Sequence, residues 1–195
     1  MTPPVFIFVG HSNSGKTTFV EKLIPELTRR GVKVAAIKHA HHRVQLDTEG
    51  KDSWRYKEAG AALSMLVTAG ALQLVADARE EAGGRDPAQL AARFLGEADL
   101  VLAEGFSLSP GDKIEVLRRA NAKPPRCALE DGLIAIVTDC PEVYPELPHF
   151  ALDDAPGVAD FLLARAGGVG STTESTEGTE KGKAGKREGR DSSET

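Results

Sequence analysis

The chain has 195 residues, 41% of them hydrophobic, with 24 basic and 29 acidic side chains and a formal net charge of −5. That length suits one domain of ordinary size with a remainder, and the acidic balance argues against a general nucleic-acid binder, which would carry a basic patch or stripe. Cys127 and Cys140 show neither metal-type spacing nor a disulfide framework, no apolar run approaches a membrane span, and the N-terminus lacks the basic start of a signal peptide, so a soluble cytoplasmic protein with ordinary thiols is expected, with no membrane and no nucleic acid as partner.

The first element is the apolar run Val5–Val9, which reads as a buried strand. Directly behind it stands Gly10-His11-Ser12-Asn13-Ser14-Gly15-Lys16-Thr17, a complete G-x-x-x-x-G-K-[ST] phosphate-binding loop. The loop runs into a helix expected over residues 15–30, ended by Gly31 as a C-cap. Strand, loop and helix together turn the string into a mechanism. Successive backbone N–H groups wrap phosphates, the helix N-terminus adds a favourable dipole, and the glycines let the backbone approach closely. Gly10, His11, Ser12, Asn13, Ser14, Gly15, Lys16, Thr17 and Thr18 are therefore the candidate nucleotide-binding residues. Lys16 is expected at the β- and γ-phosphates and the Thr17 hydroxyl on Mg²⁺.

Further along, residues 32–37 predict a second strand and residues 53–59 a helix ending at Gly60, with a polar stretch between them. Leu63–Val67 and Leu72–Ala76 predict a strand pair turned at Ala69-Gly70. Pro87–Phe94 predicts a helix and residues 100–103 a central strand. Residues 113–117 alternate and suit a half-exposed strand, residues 133–137 a buried one, and residues 158–164 a closing helix. Strands alternating with helices imply an α/β fold: a mostly parallel, mixed sheet with helices on both faces. From Ser171 onward the chain is Gly, Ser, Thr, Glu, Lys, Arg and Asp with Ala184 as its lone apolar residue. Such a stretch cannot offset its ordering entropy by burial. We expect a nucleotide-binding domain over residues 1–166 and a disordered tail over 167–195.

In an open α/β sheet, ligands lie beyond the carboxyl ends of the strands. Glu104 and Gly105 follow residues 100–103 and fall at the edge of the phosphate loop, whereas Asp99 falls at the far edge as a turn or cap residue. Glu104 is thus the expected catalytic carboxylate, near Mg²⁺ or the attacking water, alongside Lys16. Lys38 and His39 leave the second strand at the same edge and begin Lys38-His39-Ala40-His41-His42. No nearby cysteine or second histidine cluster completes a zinc site, so a loop that contacts phosphate, partner or substrate is the better functional reading. Asp47 and Asp52 are close enough in sequence to reach Mg²⁺, and Asp47 joins Thr17 and Glu104 as a candidate metal ligand. Asp139, beyond the strand at 133–137, could accept the N1–H and N2–H₂ donors of guanine or serve as a turn acid before Cys140-Pro141. Arg118, Arg119 and Arg126 form the densest basic cluster outside the tail.

Several strings occur together in one order: residues 10–18, Ala36-Ile37-Lys38-His39-Ala40-His41-His42, Asp47-Thr48-Glu49-Gly50-Lys51-Asp52-Ser53-Trp54-Arg55, Leu102-Ala103-Glu104-Gly105-Phe106 and Lys113-Ile114-Glu115-Val116. Over roughly residues 3 to 165 the chain resembles the MobB family, the molybdopterin-guanine dinucleotide biosynthesis adaptor proteins. The resemblance implies a P-loop α/β fold, GTP binding with weak GTP hydrolysis, and a homodimer. It also implies association with molybdopterin or its guanine dinucleotide, and with the guanylyltransferase that attaches GMP to molybdopterin. Two other readings use the same loop. One is a P-loop kinase of a small metabolite, with Arg118, Arg119 or Arg126 clamping the transferred phosphoryl group. The other is a module that binds GTP without hydrolysing it.

Overall fold

The structure is a computed structural model that describes residues 2–40, 44–77 and 86–167. His41 and His42, and all of the expected tail beyond Gly167, lie outside the described residues. The elements in chain order are β1 (Val5–Val9), α1 (Lys16–Arg29), β2 (Val34–Lys38), α2 (Asp52–Glu58), β3 (Leu63–Val67), β4 (Leu72–Ala76), α3 (Pro87–Phe94), β5 (Leu100–Glu104), β6 (Asp112–Leu117), β7 (Leu133–Thr138), β8 (His149–Phe150) and α4 (Ala155–Arg165).

Six strands form one sheet in the order β2-β5-β1-β6-β7-β8, and every pairing in it is parallel. β1 lies between β5 and β6 at the point where the chain switches sides, which sets a crevice beyond its carboxyl end. The alternation of side chains along β1 divides the core. Phe6 and Phe8 face a cluster with Phe19, Leu23 and Leu27 of α1 and Val158 and Leu162 of α4. Ile7 and Val9 face the other way, against Ala103, Phe106 and Cys127, with Leu90 of α3 packed on them. Helices therefore cover both faces, as the α/β pattern requires.

The antiparallel pair β3–β4 forms a separate two-stranded sheet, so the antiparallel component expected of a mixed sheet stands beside the parallel sheet and not within it. β6 is the clearest departure from expectation. Its alternation suited a half-exposed strand, yet Lys113 through Leu117 are all buried. β6 is interior, flanked by β1 and β7, and its two charged residues are buried because they have partners. The Lys113 ammonium donates to the Asp131 carbonyl. The Glu115 carboxylate accepts from the backbone N–H of Arg126 at 2.6 Å and of Cys127 at 3.1 Å.

Local chemistry sets several ends. Gly31, at φ 81°, donates to the Thr28 carbonyl and closes α1. Asp99 does act at the far edge as a cap: its carboxylate accepts from the Lys33 N–H at 2.8 Å and ties the start of β2 to β5. α4 begins three residues before the expected 158, because the Asp154 carboxylate accepts from Gly157 N–H at 2.9 Å and Pro156 suits the first helical turn. β8 escaped the sequence reading because a two-residue strand paired beside Ile136 and Val137 has no periodicity to detect.

Candidate functional site

The phosphate loop leaves β1 with Gly10 at φ 137° and enters α1 through Gly15 at φ 94°. A Cβ on Gly10 would lie 2.5 Å from the Val116 carbonyl oxygen and 2.9 Å from Ser14 Oγ, so glycine is required there by both conformation and space. The loop closes on itself: the Lys16 ammonium donates to the Gly10 carbonyl at 3.0 Å and the His11 carbonyl at 2.8 Å. Burial lowers the Lys16 pKa from its ordinary value; Glu104 opposes this, while Arg126 and Lys38 add to it. An ammonium with other cations beside it is stabilised by an anion placed in the loop.

Glu104 ends β5, whose register sets it beside Phe8 of β1 and Lys38 of β2. The Thr17 hydroxyl donates to this carboxylate, 2.9 Å from Oε1 and 3.0 Å from Oε2. The Lys38 ammonium lies 3.1 Å from Thr17 Oγ1 and 3.3 Å from Glu104 Oε1. The carboxylate is 13% exposed, against 60% for the Lys38 side chain. Thr17, Glu104 and Lys38 thus form one triad at the mouth of the loop. The lysine was legible in sequence only as the start of a polar loop; its place in the triad comes from β2 pairing with β5.

A cleft of 760 Å³ opens over these groups. Its lining includes Gly10, Ser12, Asn13, Gly15, Lys16, Thr17 and Thr18 of the loop and the start of α1, and Lys38, His39, Glu104, Gly105, Ser107 and Arg126 from elsewhere in the chain. Of the expected loop residues, His11 and Ser14 turn elsewhere. His11 Nε2 donates to the Pro124 carbonyl at 3.1 Å, and the Ser14 hydroxyl is buried beneath the loop without a hydrogen-bond partner. Two further candidates stand outside the cleft. Asp47 lines a separate hollow of 350 Å³ with Gln45, Leu46, Thr48 and Gln73, and its Oδ1 accepts from the Thr48 N–H at 2.7 Å. Asp139 lies exposed at the carboxyl end of β7 and accepts from the Arg119 N–H at 2.7 Å, which holds its pKa below the ordinary carboxylate value.

Asn121, which sequence reasoning did not single out, joins this site together with Arg118 and Arg126 of the expected basic cluster. Asn121 Nδ2 donates to the Ser12 carbonyl at 3.2 Å, and a Cβ on Gly15 would lie 3.3 Å from the Arg118 guanidinium. The basic cluster gave notice of charge here but not of which arginine enters the cleft. Among the described residues no group of three or more His, Cys, Asp or Glu side chains is arranged to hold a metal. No described helix is long and apolar enough to cross a membrane.

Comparison with known proteins agrees with this arrangement. The family profile described as "MobB: Molybdopterin guanine dinucleotide synthesis protein B" matches residues 5–139. The molybdopterin-guanine dinucleotide biosynthesis adapter protein of Haemophilus influenzae is 39% identical over 161 residues, covering 82% of this chain and 87% of the relative. That of Escherichia coli K12 is 33% identical, covering 82% and 91%. A crystal structure of Bacillus subtilis MobB superposes with a TM-score of 0.63 at 31% identity, covering 83% of this chain and 97% of that one. A crystal structure of molybdopterin-guanine biosynthesis protein B does so with a TM-score of 0.64 at 28% identity, covering 83% and 98%. With its phosphate loop, parallel sheet and matched length, the chain belongs to the MobB family of molybdopterin guanine dinucleotide synthesis proteins.

Proposed function

We propose that this protein is a GTP-binding accessory factor of molybdenum cofactor assembly that hydrolyses GTP slowly. The observation that carries the reading is the triad of Thr17, Glu104 and Lys38 at the mouth of a complete phosphate loop. Loop amides and Lys16 hold the phosphates; on binding, the ammonium exchanges the Gly10 and His11 carbonyls for phosphate oxygens. Glu104 orients the attacking water, and positioning and electrostatics supply the catalysis.

The donor set fits Mg²⁺. Thr17 Oγ1 and the Glu104 carboxylate are hard oxygen donors side by side, and the Lys38 ammonium against both shows that the pair accommodates positive charge. Thr17 and Glu104 would hold the ion, which supplies neutralisation of the phosphate charge when bound. Lys38 then turns to the nucleotide or to solvent. Asp47, in its separate hollow, is the secondary metal candidate.

Guanine preference is assigned to Asp139, whose carboxylate stands exposed at the carboxyl end of β7, held by the Arg119 N–H through Oδ1. Similarity to adapter proteins of molybdopterin-guanine dinucleotide biosynthesis supports a role in that pathway, and the partners we assign are molybdopterin or its guanine dinucleotide and the guanylyltransferase that handles it. A homodimer is supported by the hairpin. Leu63, Met65 and Val67 of β3, with Leu72 of β4 across from Val67, share one face and are 40%, 49%, 66% and 60% exposed. An apolar face of that kind marks a contact surface. A cytoplasmic location suits Cys127 and Cys140, which are buried free thiols.

Calorimetric titration with a non-hydrolysable GTP analogue and its ATP counterpart tests the reading. GTP is expected to bind at least several-fold tighter than ATP, and Lys16→Ala to lose tight binding of both with the fold intact. Unchanged affinity in Lys16→Ala would remove the loop as the nucleotide site.

A further inference from the structure

The cleft carries more positive charge than one phosphate-loop lysine explains. Its charged lining residues are Lys16, Lys38, Glu104 and Arg126. Lys38 and Glu104 pair with each other. Lys16 is engaged with two backbone carbonyls. The Arg126 guanidinium makes one hydrogen bond among the described residues, from Nη2 to Ser107 Oγ at 3.3 Å. Among the described residues that line the cleft, two cations and the N-terminus of α1 therefore stand without a second carboxylate in the lining, in a chain whose net charge is −5.

The position of Arg126 is fixed by its backbone. Its N–H and that of Cys127 clamp the buried Glu115 carboxylate, which the β1–β6 register sets beside Val9 at the end of β1. The same loop is fastened to the phosphate loop at His11 through Pro124 and at Ser12 through Asn121. Cys127 is buried against Ile7, Val9, Ala103 and Phe106. The Glu115 carboxylate attracts the guanidinium from behind, but it does not line the cleft, and both its oxygens already accept backbone N–H groups. Ser107 comes from the turn after β5 and Arg126 from the loop after β6. These strands flank β1, so the contact between the two side chains joins both turns at the carboxyl end of β1, where the phosphate loop begins.

We propose that Arg126 and Ser107 form a second anion subsite in the cleft, which takes a phosphate group facing the phosphate loop. The guanidinium offers a planar fork of donors matched to phosphate oxygens, and the serine hydroxyl adds a neutral donor beside it. The proposal rests on the reading of the loop as a nucleotide site. Two sources present this chemistry: the terminal phosphate of the nucleotide in the loop, or a phosphate monoester on a second ligand bound beside it.

Titration of wild type, Arg126→Gln and Lys16→Ala with GDP and with an imido analogue of GTP, followed by titration of the GDP-loaded proteins with phenyl phosphate, separates the cases. Arg126→Gln keeps the backbone clamp on Glu115, so its fold is expected to be intact by circular dichroism. A tenfold or greater loss of affinity for the GTP analogue with GDP unchanged assigns the subsite to the terminal phosphate. Unchanged affinity for both nucleotides, with loss of the phenyl phosphate binding seen in GDP-loaded wild type, assigns it to a second ligand. Arg126→Gln behaving as wild type towards all three ligands overturns the subsite. Lys16→Ala retaining full affinity for GDP and the GTP analogue overturns the underlying reading, whatever Arg126 does.

Discussion

β7 and the hairpin β3–β4 are written in the same kind of residue and end in opposite surroundings. In β7, Leu133, Ile136 and Val137 are 5%, 0% and 0% exposed. In the hairpin, Met65, Val67 and Leu72 are 49%, 66% and 60% exposed. The difference lies in their neighbours. β7 has β6 on one side and β8 on the other, with Ala135 and Val137 packed into the cluster under α1 and α4. The hairpin strands pair with each other alone, and two strands cannot close a core between themselves. Apolar strand sequence therefore marks a surface that needs covering and leaves open what covers it. For β7 the cover is this chain; for the hairpin the proposed cover is a second copy.

The largest expected effect tests that contrast directly. Leu102→Ala, at a position 1% exposed in the main core, is expected to cost about 2–5 kcal/mol of unfolding free energy. The double change Met65→Glu with Val67→Lys is expected to leave monomer stability within about 0.5 kcal/mol while shifting the sedimentation profile from dimer to monomer. Equal losses of stability from both would erase the distinction, and an unchanged profile would leave the hairpin without its proposed role.

The second expected effect concerns the carboxyl edge, where the parallel sheet differs from the hairpin by carrying the proposed nucleotide site. Glu104→Gln preserves the size of the side chain and its contact with Thr17, but removes the charge paired with Lys38. GTP analogue binding is expected to persist and steady-state phosphate release to fall by about a hundredfold. Release at the wild-type rate would move the catalytic assignment away from this strand end.

The smallest effect is expected at Asp139. Asp139→Asn keeps an oxygen acceptor for the Arg119 N–H while removing the charge offered to guanine donors. Competition binding is expected to show the preference for GTP over ATP narrowing by several-fold, a difference of order 1 kcal/mol. An unaltered ratio would leave Asp139 as the anchor of Arg119 alone.

The strands and helices adjoining the phosphate loop were legible to within one or two residues, because apolar runs and glycine stops act locally. The loop itself was legible because its backbone conformations and its lysine are needed within eight consecutive positions. Glu104 was reachable by a single topological rule, since a residue that follows a parallel strand must emerge at the ligand edge. Lys113 and Glu115 misled, as charged residues alternating with apolar ones describe a half-exposed strand unless partners exist for them inside. Those partners, the Asp131 carbonyl and the N–H groups of Arg126 and Cys127, belong to segments more than ten residues away.

By itself, then, the sequence determined that a phosphate loop would join a buried strand to a helix, and that Glu104 would stand at its edge. Only the tertiary structure decided that Lys38 would sit against Thr17 and Glu104, that Arg126 would face the same cleft, and that the hairpin would stay outside the main sheet. The physical reason is range. Backbone conformation and side-chain period are set within a few residues, whereas strand order and register arise from hydrogen bonds between segments far apart in the chain. The same local pattern is compatible with several such pairings, and burial selects among them.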